Sequence, residues 1–175
     1  MIYKKISREF LKYYKIQHLY CQCFPPDERR EWDKMMELID NEPRFNVIAA
    51  TSESDDTMGF ISYWTFDSFT YVEHLAVDEA YRRQGIGAAL LIKAQELGQP
   101  LVLEVEPPVD ETTVKRVGFY RQLGLTLRDD IPYEQPPYSP DKEPVALCLM
   151  VSPMMLDKDI HTAIFTIRRK VFHAD

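Results

Sequence analysis

The chain has 175 residues, with 28 acidic against 21 basic side chains and a formal net charge of −7. This length suits one domain that buries its own core, and the acidic balance argues against nucleic acid as a partner, because binding phosphate needs clustered cations. Three cysteines without a zinc-type Cys/His pairing predict free thiols, no metal and a cytoplasmic setting, and the lack of a long apolar run predicts no membrane contact.

The first third of the chain predicts a short strand and two helices. Ile2–Lys5 has the composition of a strand. Apolar and aromatic residues recur every three or four positions between Ser7, a suitable helix cap, and Phe24. A second helix, capped by Asp27, carries an apolar stripe that reaches Ile39. The rings and sulfur atoms on these helices can either pack in a core or line a pocket.

The middle of the chain predicts strands that pair in two different ways. Residues 44–50, 58–66 and 69–77 are β-favouring runs separated by short turns, which is typical of an antiparallel meander. A helical segment at 86–97 then leads to a strand at 101–105. Because a strand, helix and strand in succession make a crossover, the strands 69–77 and 101–105 should be parallel.

The next segment predicts a helix and a long loop. Thr112 or Thr113 can begin a helix that Gly124 ends. A short strand at 125–128 is followed by residues 129–144, whose five prolines predict a loop that cannot join a central sheet. This loop is either a lid over the site or a plain surface excursion.

The C-terminal stretch predicts a buried strand and a separate helix. Residues 145–151 form a continuous apolar run, and apolar residues recur at helical spacing from Ile160 to Val171. We therefore expect a main domain at residues 1–152 and a helical extension at 153–175, which packs on the same domain or at a dimer contact.

The stretch after the third strand of the meander has the composition of an anion-binding turn. It reads Arg82-Arg83-Gln84-Gly85-Ile86-Gly87-Ala88. Glycines let a ligand approach the backbone closely, and the first amides of a helix have no intrahelical partner, so they can donate to phosphate oxygens. A nucleotide could use such a turn, but no Gly-Lys-Ser/Thr follows these glycines.

Three segments together resemble one family of enzymes. Arg82-x-x-Gly85-x-Gly87, after a strand ending Leu75-Ala76-Val77, resembles the acetyl-coenzyme A signature of the GNAT superfamily of N-acetyltransferases. Residues 101–105 and 117–125 resemble the fifth strand and fourth helix of that family. The resemblance implies an α/β fold with a mixed, mostly antiparallel sheet of six or seven strands. It also implies a parallel, splayed strand pair, helices on both faces and a C-terminal helix.

The resemblance further implies acetyl-CoA as co-substrate and a primary amine of a small molecule or peptide as acceptor, in a monomer or homodimer. The turn would bind the coenzyme diphosphate, and the end of the preceding strand would bind the pantetheine arm and polarise the thioester carbonyl. Thr113 stands where many members carry asparagine. The residues implied in coenzyme binding are Leu75, Ala76, Val77, Arg82, Arg83, Gln84, Gly85, Ile86, Gly87, Ala88, Thr113 and Phe119.

Three glutamates compete for the role of the base that deprotonates the amine. Glu104 is placed like a glutamate that related acetyltransferases of ribosomal proteins use as base, and Glu73 lies on a strand where other members carry a working or water-ordering carboxylate. Glu106 shares a strand face with Glu104 but lies at the strand's end. Partial burial would raise the pKa of such a carboxyl towards the working range. His74, on the opposite strand face from Glu73 by alternation, is expected to be packed and hydrogen-bonded.

Tyr120 is the expected acid. In the family, the tyrosine of the Phe-Tyr pair lies by the coenzyme sulfur, where its phenol can protonate the thiolate. The leading hypothesis is therefore an N-acetyltransferase in which the amine attacks directly, assisted by a glutamate base and a tyrosine acid. The alternative is a non-catalytic module that binds or senses acetyl-CoA.

Overall fold

A computed structural model of the chain describes residues 1–7 and 15–174. In these residues, one seven-stranded sheet is accompanied by five α-helices. The strands are β1 (Ile2–Lys5), β2 (Phe45–Thr51), β3 (Thr57–Thr65), β4 (Thr70–Val77), β5 (Leu101–Val105), β6 (Thr126–Gln135) and β7 (Val145–Val151). The helices are α1 (Ile16–Cys23), α2 (Trp32–Asn41), α3 (Ile86–Gln95), α4 (Glu111–Gln122) and α5 (Asp157–Lys170). Over the described ranges, no helix combines the length and the apolar character needed to cross a membrane.

The strand order in the sheet is β1-β2-β3-β4-β5-β7-β6. Strands β1 to β4 follow one another antiparallel, and β4 and β5 are the parallel pair that α3 connects. Both the predicted meander and the predicted parallel crossover are confirmed. In a mixed sheet, the position after a parallel strand is where ligands commonly bind.

Two apolar cores lie on opposite faces of the sheet. The first core contains buried side chains of α1, α2 and α5, among them Tyr20 and Ile167, packed on Trp64 of β3. The second core contains buried side chains of α3 and α4, with Leu90 and Val117 as examples. The mixed α/β fold with helices on both faces is therefore confirmed, and the apolar stripe of α5 is buried against its own chain.

The prediction of a loop over residues 129–144 is wrong up to Gln135. These residues continue β6, and Tyr133 and Gln135 pair with β7 at Leu147 and Val145. The strand accommodates Pro132 because it lies at the sheet edge and its register shifts between Arg128 and Tyr133, where no ladder hydrogen bond is needed. The connection without regular structure is limited to residues 136–144.

The sequence also predicts where three of the helices begin. Residues 8–14 of the first predicted helix lie outside the described residues, and α1 forms the later part of that prediction. Asp27 does not cap α2, because it lies in a separate 3-10 turn, Pro26–Glu28. Helix α4 is capped by Asp110 rather than begun by a threonine, since the Asp110 carboxylate accepts from the Thr113 amide at 2.8 Å. Gly124 ends α4 at a φ of +85°, as predicted.

Candidate functional site

A cleft opens where the parallel strands part. β4 and β5 pair with each other only from Thr70 with Leu101 to Val72 with Leu103. Beyond that point both strands continue, but they no longer pair with each other. The space between them is a cleft of about 910 Å³, bordered by the turn at 82–88, by α4 and by the end of α1. Cavities of this size bind small molecules and cofactors.

A β-bulge at Glu73 accompanies the parting of the strands. Along the β3–β4 pair, Ser62 lies opposite His74 and Tyr63 lies opposite Val72, so Glu73 is the extra residue of β4. The bulge interrupts the alternation of side chains, and Glu73 and His74 both point into the first core. The prediction that these two residues lie on opposite faces is therefore wrong.

His74 is a packed, neutral histidine. Its Nε2 donates to the carbonyl oxygen of Glu28 at 3.2 Å, and its Nδ1 accepts from the Ser62 hydroxyl at 3.1 Å. The rings of Tyr20 and Phe24 stand edge-on to the imidazole. Burial lowers the pKa of His74 to about 4. This confirms that His74 is packed and hydrogen-bonded.

The turn before α3 exposes backbone amides to the cleft. Arg83 and Gly85 adopt left-handed conformations with φ of +62° and +79°, and no side chain of residues 1–7 or 15–174 caps the helix that follows. A Cβ atom built on Gly85 would meet no atom of the described part of the chain within 4 Å, so these residues leave the space beside it open. A Cβ atom on Gly87 would lie 3.4 Å from Phe119, which shows how closely α3 and α4 approach here. The first amides of α3 are thus available to an anion.

Most of the predicted coenzyme residues come together around this cleft. The exceptions are Gln84 and Thr113, which are not among its lining residues. The Gln84 amide nitrogen donates to the carbonyl oxygen of Ala80 at 3.3 Å. The Thr113 hydroxyl is engaged with Asp110 in the cap of α4. The lining residues that were predicted are Leu75, Ala76, Val77, Arg82, Arg83, Gly85, Ile86, Gly87, Ala88 and Phe119.

Glu104 faces the cleft with a carboxyl group held by two phenols. The hydroxyls of Tyr71 and Tyr133 each donate to one of its oxygens, the former at 2.7 Å. Burial raises the pKa of Glu104 to about 7, the two phenols pull it down only in part, and the charges of Glu73 and Glu28 add to the increase. The carboxyl group therefore exchanges protons near neutral pH, as a base requires.

The Glu73 side chain is also in the site but has different partners. Its carboxylate forms an ion pair with Arg30 at 2.9 Å and accepts from Trp64 Nε1 at 2.7 Å and from the Tyr138 hydroxyl at 2.8 Å. Burial raises the pKa of Glu73, but the Arg30 charge and these hydrogen bonds outweigh it, so the pKa lies below its ordinary value. The side chain, 1% exposed, is a buried anion.

Tyr120 presents a phenol to the same cleft. It is 8% exposed, and its ring packs edge-on against Phe119 with 5.0 Å between the centroids. Burial raises the pKa of Tyr120 to about 12. Its hydroxyl makes no hydrogen bond to another described residue. Tyr120 therefore keeps its proton at neutral pH and can donate it.

Sequence reasoning missed three residues of this site. Tyr71 lies two positions before Glu73 in β4, and that spacing could have indicated a side chain on the same face of the sheet as Glu73. Tyr133 was missed because its strand was predicted to be a loop. Glu28 lines the cleft with a carboxyl group whose pKa burial raises, and it was missed because it lies in a stretch of alternating charges, a pattern typical of a solvated surface. Glu106, the third glutamate that the sequence offered as a base, forms an ion pair with Arg116 of α4.

The cleft also contains no obvious metal site. Over residues 1–7 and 15–174, no group of three or more histidine, cysteine, aspartate and glutamate side chains could hold an ion. The three cysteines, Cys21, Cys23 and Cys148, are free.

Comparison with known proteins identifies the family. The model of the Acetyltransferase (GNAT) family matches residues 13–125, more than half of the chain. A solved structure, "Putative acetyltransferase from GNAT family from Bacteroides thetaiotaomicron", is 33% identical, with a TM-score of 0.90 and full coverage of both chains. The curated Bacillus subtilis (strain 168) protein "Putative acetyltransferase YjbC" is 45% identical over 73 residues, which are 40% of this chain and 38% of that relative.

A more distant structure shares the fold. The crystal structure of Arabidopsis thaliana NAA60 in complex with acetyl-CoA has a TM-score of 0.64 and 14% identity, over 86% of this chain and 96% of that one. The match at this identity concerns the fold, whereas the family match and the Bacteroides structure span most or all of the chain. The chain therefore belongs to the GNAT family of acetyltransferases.

Proposed function

We propose that this protein transfers an acetyl group from acetyl-CoA to a primary amine of a small molecule or peptide. One observation carries the proposal: a single cleft contains an amide-rich turn, a carboxyl group that titrates near neutral pH and a protonated phenol. Family membership and the acetyl-CoA complex of the NAA60 structure support the choice of coenzyme.

The coenzyme would bind along the turn and the free edge of β4. Amides of residues 83–88 can donate to the diphosphate, and the open space beside Gly85 admits it. Beyond Val72, the backbone of β4 no longer pairs with β5, so amides near Leu75–Val77 can bond the pantetheine arm and the thioester oxygen. These contacts would hold the thioester carbonyl towards the acceptor end of the cleft.

Glu104 would act as the base and Tyr120 as the acid. An amine arrives as an ammonium ion, and Glu104, directly or through water, takes one proton from it. The amine nitrogen then attacks the thioester carbon, and a β4 amide stabilises the negative oxygen that forms. When the carbon–sulfur bond breaks, the Tyr120 hydroxyl gives its proton to the thiolate. The second proton, which the attacking nitrogen must lose to become an amide, passes through water to the Tyr120 phenolate and restores the phenol. Tyr71 and Tyr133 hold the Glu104 carboxyl group in place by donating to both of its oxygens.

The acceptor end of the cleft favours a cation. The negative charge of Glu28 contributes to the raised pKa of Glu104, and the whole chain has a net charge of −7. An ammonium group entering between them would be attracted by both carboxyl groups. Phe24 and Leu147 add apolar surface to the same lining. These features suit a polyamine, an aminoglycoside, a small amine or a peptide N-terminus.

Two measurements test this proposal. Thermal unfolding with acetyl-CoA, CoA and ATP should show stabilisation by the first two only, because a ligand of the folded state raises its stability. Release of free CoA thiol should then be followed with a panel drawn from the four amine classes. Stabilisation by ATP instead of acetyl-CoA would refute the coenzyme assignment. Binding of acetyl-CoA without turnover on any class would favour a coenzyme-sensing module.

A further inference from the structure

We infer that Glu73 is a positioning residue and not the base: with Arg30, Trp64 and Tyr138 it forms a buried lock that holds the bulge of β4 open towards the coenzyme. We call these four residues the Glu73 lock. The inference rests on the proposed function, because it concerns how the cleft presents its coenzyme-binding backbone.

The side chain and the backbone of Glu73 face different surroundings. The side chain is 1% exposed, whereas the residue as a whole is partly exposed and borders the cleft, so solvent reaches its main chain. Both carboxylate oxygens are occupied: Oε1 by Arg30 and Tyr138, and Oε2 by Trp64. A substrate amine in the cleft could therefore reach this carboxylate only if one of its contacts within the Glu73 lock were broken.

The lock joins parts of the chain that are distant in sequence. Arg30 Nη2 also donates to the carbonyl oxygen of Val171 at the end of α5, at 3.0 Å, and the Arg30 amide donates to the Tyr20 hydroxyl in α1. The Arg30 guanidinium lies 4.5 Å from the ring centre of Tyr138, which belongs to the β6–β7 connection. The bulge is thus fixed to two helices, a neighbouring strand and a loop.

Such an anchor is needed because a bulge is not held by its own ladder. The extra residue has no partner on β3, and a one-residue slip of a strand would send each following side chain to the opposite face. Here Leu75 and Val77 pack on the second core beside the cleft, whereas Ala76 packs on the first. The register of this segment decides which amides face the coenzyme.

The buried charges make the lock sensitive to the removal of one partner. Arg30 is 8% exposed and, without Glu73, would be an uncompensated cation in the first core. Replacing both charges by neutral amides avoids that problem. This difference separates a positioning pair from a catalytic base, because a base cannot be restored by changing its neighbour.

The experiment compares Glu73→Gln, the double variant Arg30→Gln/Glu73→Gln, and the exposed control Glu37→Gln on α2. The dissociation constant for acetyl-CoA is measured by calorimetry, and kcat is measured against pH. For Glu73→Gln we expect the dissociation constant to rise about tenfold to hundredfold, while the ionisation near pH 7 persists in kcat. The double variant should recover most of the affinity, and the control should match the wild type.

The opposite pattern would overturn the inference. It consists of wild-type affinity in Glu73→Gln, a loss of about 10²- to 10⁴-fold in kcat, disappearance of the ionisation, and no recovery in the double variant. If Glu73→Gln does not fold, the double variant alone decides: normal affinity with turnover supports the lock, and normal affinity without turnover refutes it. Because affinity needs no turnover, a wild type that binds acetyl-CoA but never transfers it would refute the proposed function and leave the test of the lock intact.

Discussion

Replacing Glu104 by glutamine is the most direct test of the site. The amide keeps the size of the side chain and can still bond the hydroxyls of Tyr71 and Tyr133, but it cannot accept a proton from an amine. A positioned general base contributes about 10²- to 10⁴-fold to a rate. We expect kcat to fall by that factor at neutral pH, with a small change in the affinity for acetyl-CoA, whose predicted contacts lie on β4 and the turn.

The pH dependence gives the second measure. The wild-type kcat should rise as Glu104 loses its proton around pH 7, because only the carboxylate accepts a proton. In Glu104→Gln, this ionisation should vanish from the profile. Since Glu73 is a buried anion paired with Arg30, it should not replace the missing titration.

The same substitution should change stability, with a definite sign. The pKa of Glu104 is raised in the folded state from 4.5 to about 7. Its contribution to stability is therefore complete below pH 4.5 and is lost as the pH rises through 7. At about 1.4 kcal/mol per pKa unit, the loss between pH 5 and pH 8 is about 2 kcal/mol after allowance for the partial exposure of the side chain. The glutamine variant lacks this loss.

Urea unfolding at pH 5 and pH 8 measures this effect, with Glu37→Gln as an exposed control. Relative to the wild type, Glu104→Gln should gain about 2 kcal/mol between the two pH values. The reasoning is refuted if the variant keeps both the kinetic ionisation near pH 7 and the wild-type pH dependence of unfolding. We expect the kinetic ionisation and the pH dependence of unfolding to depend on the same Glu104 proton. Loss of only one of them would show that the base in catalysis and the buried group that affects stability are different groups.

Three further predictions concern other parts of the cleft and its surroundings. Tyr120→Phe should lower kcat by about 10²-fold or more with an unchanged calorimetric affinity for acetyl-CoA; full activity would remove the acid assignment. Gly85→Ala and Gly98→Ala place a Cβ on backbones at φ of +79° and +76° with open space around them, so each should cost about 1–2 kcal/mol in urea unfolding. Only Gly85→Ala should also weaken acetyl-CoA binding, and equal binding losses would contradict the phosphate role. For His74, whose pKa falls from 6.5 to about 4 on folding, stability should be lost as the pH drops from 6.5 towards 4. The His74→Gln variant should lack this dependence of the unfolding free energy on pH. An unchanged dependence would refute the prediction that His74 causes it.

Much of the fold could be predicted because its signals are local. The alternation of the meander strands, the helical spacing of apolar residues and the strand–helix–strand crossover each involve neighbours in sequence. The continuation of β6 beyond Arg128 could not be predicted, because Pro132 excludes a central strand but not an edge strand, and the strand order is a property of the whole sheet. The turn at residues 82–88 could be predicted for the same reason as the meander, since its glycines and the helix that follows are contiguous in sequence.

The bulge at Glu73 could not be read from the sequence. A bulge is a relation between the register of two strands, and nothing in the residues 71–77 departs from an ordinary strand. Its consequence for His74 was missed with it, because strict alternation was the only available rule. The burial of Arg30 could not be predicted either, since this residue lies in a run of alternating charges that is typical of a solvated surface.

The structure distinguishes Glu73 from Glu104, although the sequence left both as candidates for the base. Both Glu73 and Glu104 lie on strands, face the first core and lose water on folding, so burial alone would raise the pKa of each. Their partners differ in charge: phenols donate hydrogen bonds without bringing a positive charge, whereas the guanidinium of Arg30 stabilises the anion directly. One carboxyl group is consequently held near the pKa at which it can exchange a proton with an amine, and its neighbour is held ionised. Two carboxyl groups with divergent pKa values in one cleft are suited to different tasks. We assign proton transfer from the amine to Glu104, and we assign to Glu73 the task of holding the shape of β4.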